Sequence, residues 1–435
     1  MAEPLRLGVA GLGVVGTSLV RLLNRQKAAF AARSGREWTL AAYSARGRRD
    51  RGVDLGGAIF FDDATTMAAS AEIDIFIELI GGADGIAYDA VRAALGRGLP
   101  VITANKAMLA AHGLELAALS EDRNAPLFYE AAVGGGIPVV KTLRESLAGN
   151  TIKRVSGILN GTCNFILSRM ETEGIPFEVC LAEAQRLGYA EADPTFDIGG
   201  FDTAHKLAIL ASLAFGSKIE AAAVSIEGID SITLADLAAA DELGFRIKLL
   251  GVAERTPHGV EQRVHPTMVP KSTPLAQTMG VLNAVSVDGD AVGELTLVGP
   301  GAGGDATASS VASDIVDIAS GLRLPVFGRP VASLAEADRV PMQRHEGGYY
   351  VRLAVEDRPG AMAAIATRMG ERRISLEAIM QKRASREAAA AGVVPVVLMT
   401  HGTTESSIRE ALARAVEEGV VRERPQLIRI EREAV

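Results

Sequence analysis

At 435 residues the chain exceeds one ordinary hydrophobic core and needs two or three domains. A net charge of −8, with basic residues dispersed apart from ARGRRDRG at 45–52, excludes a polyanion partner, because phosphate backbones are met by clustered Lys and Arg. Two cysteines, Cys163 and Cys180, exclude a disulfide framework, and no apolar run approaches the ~20 residues that span a bilayer.

A strand pattern begins within MAEPLRLGVAG and leaves no room for a signal peptide, so a soluble, cytoplasmic protein is expected. Residues 5–10, LRLGVA, read as a buried strand; GLGVVG follows at 11–16, and SLVRLLNRQKAAF has helical apolar spacing. WTLAAYS (38–44), IDIFIELI (73–80) and PVITAN (100–105) read as further strands, with helical stretches such as DAVRAALGRG between them. This alternation predicts an α/β fold with a parallel, doubly wound sheet. LFYEAAVGGGIPVV (127–140) reads as a strand leaving the first domain through glycines. Helices over 138–148, 163–173, 176–187 and 202–215, with strands over 154–160, 247–254 and 280–287, predict an α+β second domain. Residues 295–320 give strand, glycine turn and helix again and are expected to rejoin the first domain. An irregular linker follows at 321–346. From 348 a compact unit alternates strands and helices, with a helix at about 404–418 and a last strand near 426–431.

Gly11, Gly13 and Gly16, with Val14 and Val15 between them, form GxGxxG between a strand and a helix. Gly11 permits the tight turn, Gly13 admits a pyrophosphate to the backbone, and Gly16 allows close helix–sheet packing. The helix N-terminus behind them favours anionic oxygens. After the second strand an acidic residue would bind the ribose hydroxyls of NAD; here Ser44 is followed by Arg46, Arg48 and Arg49. Guanidinium groups match a 2′-phosphate, so NADP is preferred, with NAD also accepted. TANK sets Asn105 and Lys106 just past a strand's carboxyl end, where open α/β sheets bind ligands.

YAEADPTFDIGGFDTAHK, 189–206, places Glu191, Asp193, Asp197 and Asp202 ahead of a single Lys206. Asp202 and Lys206 are four apart on a helix and share a face. A lysine heading a buried helix (LAILASLAF follows), among carboxylates that favour its charged form, is placed to give a proton to an aldehyde oxygen. The surplus acids suit a substrate ammonium group, while Asp193 and Asp197 are given no role beyond shaping the loop.

Taken together, TANK, EAAVGGGIP, LNGTCNFIL, GYAEADPTFDIGGFDTAHK and GPGAGG resemble, in order and spacing, the homoserine dehydrogenases of bacterial monofunctional type with a C-terminal ACT domain. The resemblance covers nearly the whole chain. It implies NAD(P)-linked interconversion of L-homoserine and L-aspartate 4-semialdehyde, serving threonine, methionine and isoleucine synthesis. It implies a Rossmann-type nucleotide domain at 1–137, completed by about 299–322, and a substrate-binding and dimerisation domain at 138–298. A linker at 323–347 and a βαββαβ ACT domain at 348–435 would follow. Carried over by motif, Lys206 is the proton donor and acceptor, Glu191 and Asp202 bind homoserine, and Lys106 lines the site. Gly188 and Gly301 contact the cofactor, Gly188 beside the substrate as well. Glu130, with the carbonyls of Val133, Gly135 and Ile137, matches a sodium site. The family motif G-P-G-A-G-x-x-P-T has Ala306 here in place of its proline, a change that costs little at a helix start. The ACT resemblance, with Pro359 and Gly360 in its first loop, implies an allosteric amino acid, threonine, and the family a homodimer or homotetramer.

Two other classes compete. An acylating semialdehyde dehydrogenase would use Cys163 in NGTCN as its nucleophile with His205 as base, and needs a thiolate. An amino-acid sensor on a dead scaffold would have lost catalytic groups, yet Lys206, Glu191 and Asp202 are all present.

Overall fold

In the computed structural model, residues 3–336, 338–381, 390 and 392–431 are described; the parts of the expected C-terminal domain at 382–389, 391 and 432–435 lie outside them. The first sheet is built of β1 (Leu5–Ala10), β2 (Trp38–Ser44), β3 (Ile59–Phe61), β4 (Ile75–Glu78), β5 (Val101–Thr103) and β6 (Leu127–Phe128). All five pairings are parallel and the order is β3-β2-β1-β4-β5-β6, so the chain reverses direction between β1 and β4. A doubly wound sheet opens a ligand crevice there, at the carboxyl ends of the strands. The expected α/β class is thus present.

One segment differs from its sequence reading. Residues 127–140 form not a strand but the two residues of β6, a helical turn Glu130–Val133, a tight loop and a second turn Val139–Lys141. The helix read over 138–148 continues only as a π-turn, Thr142–Ser146. Gly135, at φ 59°, makes this compaction workable: a Cβ there would stand 2.3 Å from the Gly301 carbonyl oxygen. The outgoing and returning crossovers therefore touch backbone to backbone.

The second sheet starts with β7 (Ile152–Ile158), β8 (Ser225–Ile226), β9 (Phe245–Thr256), β10 (Gly259–Pro270), β11 (Leu282–Gly289) and β12 (Gly293–Pro300). It continues through β13 (Glu346–Glu356), β14 (Leu376–Gln381), β15 (Val393–Thr400), β16 (Thr403–Thr404) and β17 (Gln426–Ile430), in the main order β12-β11-β7-β9-β10-β17-β13-β15-β14. With its helices Ala361–Glu371 and Glu405–Glu417 the C-terminal unit reads βαββαβ, and β17 joins it in parallel to β10, so one sheet runs through both parts. The helix Gly304–Ala319 returns to the first sheet and packs on Val14–Arg25 so closely that a Cβ on Gly304 would be 2.5 Å from Ser18 Oγ. Ala306 sits in its first turn, its methyl where a Cβ on Gly136 would come within 3.0 Å. Among the described residues no helix is long and apolar enough to cross a membrane.

Candidate active site

The glycine turn is built as its three positions require. Gly11 has φ 100° and a Cβ there would meet the Leu79 carbonyl oxygen at 2.5 Å; one on Gly16 would meet the Gly11 oxygen at 2.1 Å. At Gly13 a Cβ would meet nothing within 4 Å, so the backbone above the helix Val14–Arg25 is open to a ligand. Val14 is exposed and Val15 faces the cavity described next. Ser44 is buried and its carbonyl accepts from the Gly11 amide at 2.8 Å. Arg46, Arg48 and Arg49 stand exposed on the following loop. Arg51, not singled out in the sequence, ties that loop down: its Nη1 donates to the Leu12 carbonyl at 2.8 Å and its Nη2 to that of Gly47 at 3.2 Å.

Past the glycines lies a cavity of about 260 Å³ in the crevice, between the ends of β4 and β5, the turn Glu130–Val133 and Gly301. Glu78, Asn105, Lys106 and Lys206 supply its polar wall. The structure brings both predicted lysines onto one carboxylate. Asp202 Oδ2 accepts from Lys206 Nζ at 2.7 Å, while Asp202 Oδ1 stands 3.0 Å from Lys106 Nζ. Lys206 Nζ also donates to the Leu159 carbonyl at 2.7 Å. Lys106 opens the helix Lys106–Arg123, whose cap Asn105 accepts from the Met108 amide at 3.1 Å; such a cap contributes about 1 kcal/mol. Asn160 was missed by the sequence reading. Its Nδ2 donates to Asp202 at 3.0 Å and to Asp197 at 2.8 Å, while its Oδ1 caps the helix Gly161–Glu173 through the Cys163 amide. Asp197 thereby joins the site, whereas Asp193 turns back onto the Thr195 amide and shapes the loop.

Charge here is finely opposed. Burial pushes the Asp202 carboxyl up, but the Lys206 and Lys106 charges, with hydrogen bonds from Lys206 and Asn160, outweigh it and hold the carboxyl well below its usual range. Lys206 goes the other way from the sequence expectation: burial first, helped by the Lys106 charge, outweighs Asp202 and lowers its ammonium below the ordinary lysine value. A depressed lysine exchanges its proton more readily near neutrality than an ordinary one. Asp197 is raised, chiefly by burial. Glu78, also unread in the sequence, is fully buried at the end of β4, and burial raises it; it accepts from the amides of Ile80 at 2.7 Å and Gly81 at 3.0 Å and from the Thr103 hydroxyl, fixing the cavity's far rim.

Other predicted residues stand apart. Gly188, at φ 76°, and Glu191 lie exposed on the loop before the helix Phe201–Phe215 and do not line the cavity. Gly135 and Gly301 line it together with Val133. Glu130 is buried, its two carboxylate oxygens accepting from the amides of Val140 at 2.9 Å and Lys141 at 2.8 Å. The Gly135 carbonyl accepts from Ser310 at 2.6 Å and that of Ile137 from the Val139 amide at 2.8 Å. Cys163 is fully buried, its Sγ donating to the Asp197 carbonyl at 3.2 Å, and burial pushes the thiol well up. It lacks the thiolate that acyl transfer needs. His205 packs its ring against Phe196 with centroids 5.4 Å apart.

Comparisons with known proteins agree on one family. The homoserine dehydrogenase family model matches residues 138–316, the model for that family's NAD-binding domain matches 11–130, and the ACT domain model matches 349–417. A homoserine dehydrogenase from Pseudomonas aeruginosa is 44% identical over 417 residues, covering 94% of this chain and 95% of that protein. The crystal structure of a homoserine dehydrogenase from Thiobacillus denitrificans aligns with a TM-score of 0.91 at 40% identity, over 99% of this chain and 98% of that one. A hyperthermophilic archaeal homoserine dehydrogenase in complex with NADPH aligns with a TM-score of 0.63 at 27% identity, over 74% of this chain and 99% of that one.

Proposed function

Since the chain belongs to the homoserine dehydrogenase family of oxidoreductases, we propose that it interconverts L-homoserine and L-aspartate 4-semialdehyde with Lys206 as the proton donor and acceptor. The observation that carries this is the bridge from buried Lys206 through buried Asp202 to half-buried Lys106, at the crevice beside the glycine turn. The cofactor fits the residues present: the open backbone at Gly13 and the Val14–Arg25 helix N-terminus suit a pyrophosphate, and exposed Arg46 and Arg48 suit a 2′-phosphate, so NADP is preferred over NAD. When bound, it supplies or accepts the hydride at the substrate carbon. Lys206 Nζ gives its proton to the aldehyde oxygen in one direction and recovers it from the hydroxyl in the other. Asp202 and the Leu159 carbonyl orient that ammonium. Asp202, held ionised, pairs with the substrate ammonium, and Glu191, from the exposed loop ahead of it, is the second acid of that site by family motif.

Further readings follow the family. Glu130 and the carbonyls of Val133, Gly135 and Ile137 fit a sodium ion by donor type, since all are oxygens and the single hydrogen bonds accepted by each Glu130 oxygen and by the Gly135 and Ile137 carbonyls leave a second lone pair. The ACT unit takes threonine as its regulator, and the enzyme works as a cytoplasmic homodimer or homotetramer. The domain limits given above, 1–137 with 299–322, 138–298 and 348–435, accompany this reading.

The test is NADPH formation from L-homoserine and NADP at mildly alkaline pH, with NAD in parallel. Turnover with a lower KM for NADP is expected. Lys206→Met should lose turnover by 100-fold or more, about 3 kcal/mol of barrier, with cofactor affinity kept. Converting Arg46 and Arg48 to Ser should raise the KM for NADP about tenfold and leave that for NAD in place. Near-normal turnover by Lys206→Met removes the lysine from its role, and equal changes for both cofactors remove the arginines from theirs.

A further inference from the structure

The helix that carries Asp202 and Lys206 starts at Gly200, and what fixes Gly200 comes from outside the active site. At φ 88°, a Cβ there would stand 3.0 Å from Val264 Cγ1 and 3.1 Å from Ile226 Cγ2. Just before it, the Ile198 carbonyl accepts from the Ile229 amide at 3.0 Å, and a Cβ on Gly228 would meet that same oxygen at 2.5 Å. The loop before the catalytic helix therefore lies directly on the segment after β8, with no room for a side chain between them.

That segment is gripped from its far side. The Glu227 amide donates to the Val264 carbonyl at 2.8 Å. Its two carboxylate oxygens take Nη1 and Nη2 of Arg429, each at 2.9 Å. Arg429 lies on β17, 202 residues further along, and is only 3% exposed. It turns a second edge to Glu405 on the C-terminal helix Glu405–Glu417, at 2.8 and 2.7 Å. Arg409, from the same helix, reaches Glu227 at 3.3 Å. A guanidinium forked onto two carboxylates sets both in its plane, a geometry a flexible ammonium does not impose.

We propose that Glu227 is a positioning residue for substrate binding, through which the C-terminal unit sets where the 197–200 loop, and with it Asp202 and Lys206, stand. On the reading of Asp202 and Lys206 as substrate and proton groups, on which this inference rests, a change at β17 or at the 405–417 helix reaches the substrate site through one clamped carboxylate. Any ligand of the C-terminal unit that favours one setting of Arg429 acts on homoserine affinity by the same contact, and homoserine acts back on that ligand to the same degree.

Steady-state kinetics of the full chain test it, with Glu227→Gln, which loses the charge, and Arg429→Lys, which loses the fork. The KM for homoserine should rise fivefold or more and kcat should fall in each folded variant, since Asp202 and Lys206 are displaced together, while the KM for NADP stays within twofold, because the cofactor glycines lie on the other sheet. The double variant should be no worse than the worse single. A KM for homoserine within twofold of the parent in Glu227→Gln, whatever its melting temperature, overturns the proposal, and that variant suffices should Arg429→Lys fail to fold. Loss of the proton-donor reading shows separately, as turnover by Lys206→Met, and leaves these KM comparisons intact.

Discussion

A single carboxyl group, Glu130, shows how this chain balances burial against charge. Burial, then the neighbouring Asp314 charge, push it up to about 7, against the pull of the Lys141 and Val140 amides and the Lys141 charge. Its unfolded value is about 4.3. Because the folded value is the higher one, the native state holds the proton more tightly; the associated stability is full below about pH 4 and is lost as pH rises through 7. A sodium ion beside Glu130 would restore part of it, but only where the carboxylate is charged. Exchanging choline chloride for sodium chloride at constant ionic strength should therefore raise the melting temperature on the order of 2 °C at pH 8 and leave it unchanged at pH 5. Glu130→Gln should abolish the increment. Equal melting temperatures in the two salts at pH 8 would sink the sodium reading.

At the scale of elements, the glycine turn separates two uses of the same residue. Gly16→Ala forces a methyl to within 2.1 Å of the Gly11 oxygen, so the turn must open and the melting temperature should fall by several degrees. Gly13→Ala meets no protein atom and sits at φ −81°, which any residue adopts, so the fold should be kept. Its methyl points where a pyrophosphate would approach, and the KM for NADP should rise about tenfold, or 1.4 kcal/mol. Circular dichroism melts and cofactor titrations of the two variants distinguish the cases; a Gly13→Ala enzyme with unchanged KM would move the cofactor path elsewhere. This turn was legible in the sequence because its requirements are local: strand, glycines, helix. So was the helix of Asp202 and Lys206, where an acid and a lysine four apart precede an apolar run. β10 was not. Glu261, Arg263 and His265 read against a buried strand, and Pro266 against a central one, yet all four are buried there. Their partners are distant in sequence: His345 meets Glu261 at 2.8 Å, from a segment that reads as linker. Asn160 was illegible for the same reason, since its contact with Asp202 spans 42 residues.

Across the whole molecule, the C-terminal unit is part of a shared sheet rather than an appendage. β17 lies between β10 and β13, pairing Thr267 with Arg429 and Met268 with Ile430. Asp236 is wholly buried, and three of its contacts cross from that unit: Arg352 at 2.7 and 3.2 Å and the Tyr350 hydroxyl at 3.1 Å. Ending the chain after His345 would strip the β10 edge over Thr267 and Met268, bare a carboxylate at Asp236 and free Glu227 from Arg429. Unpaired strand edges seek other chains. A buried carboxylate that loses its cation costs ~3–5 kcal/mol unless water reaches it. The truncated chain should therefore melt well below the full one and form soluble aggregates on size-exclusion chromatography. Adding Asp236→Asn to the truncation should recover part of the lost melting temperature, because the neutral amide still caps Thr233 without a stranded charge. A truncated chain that stays unaggregated with an unchanged melting temperature would mean that the β10–β17 seam contributes little, and that the two parts of the sheet fold as separate bodies.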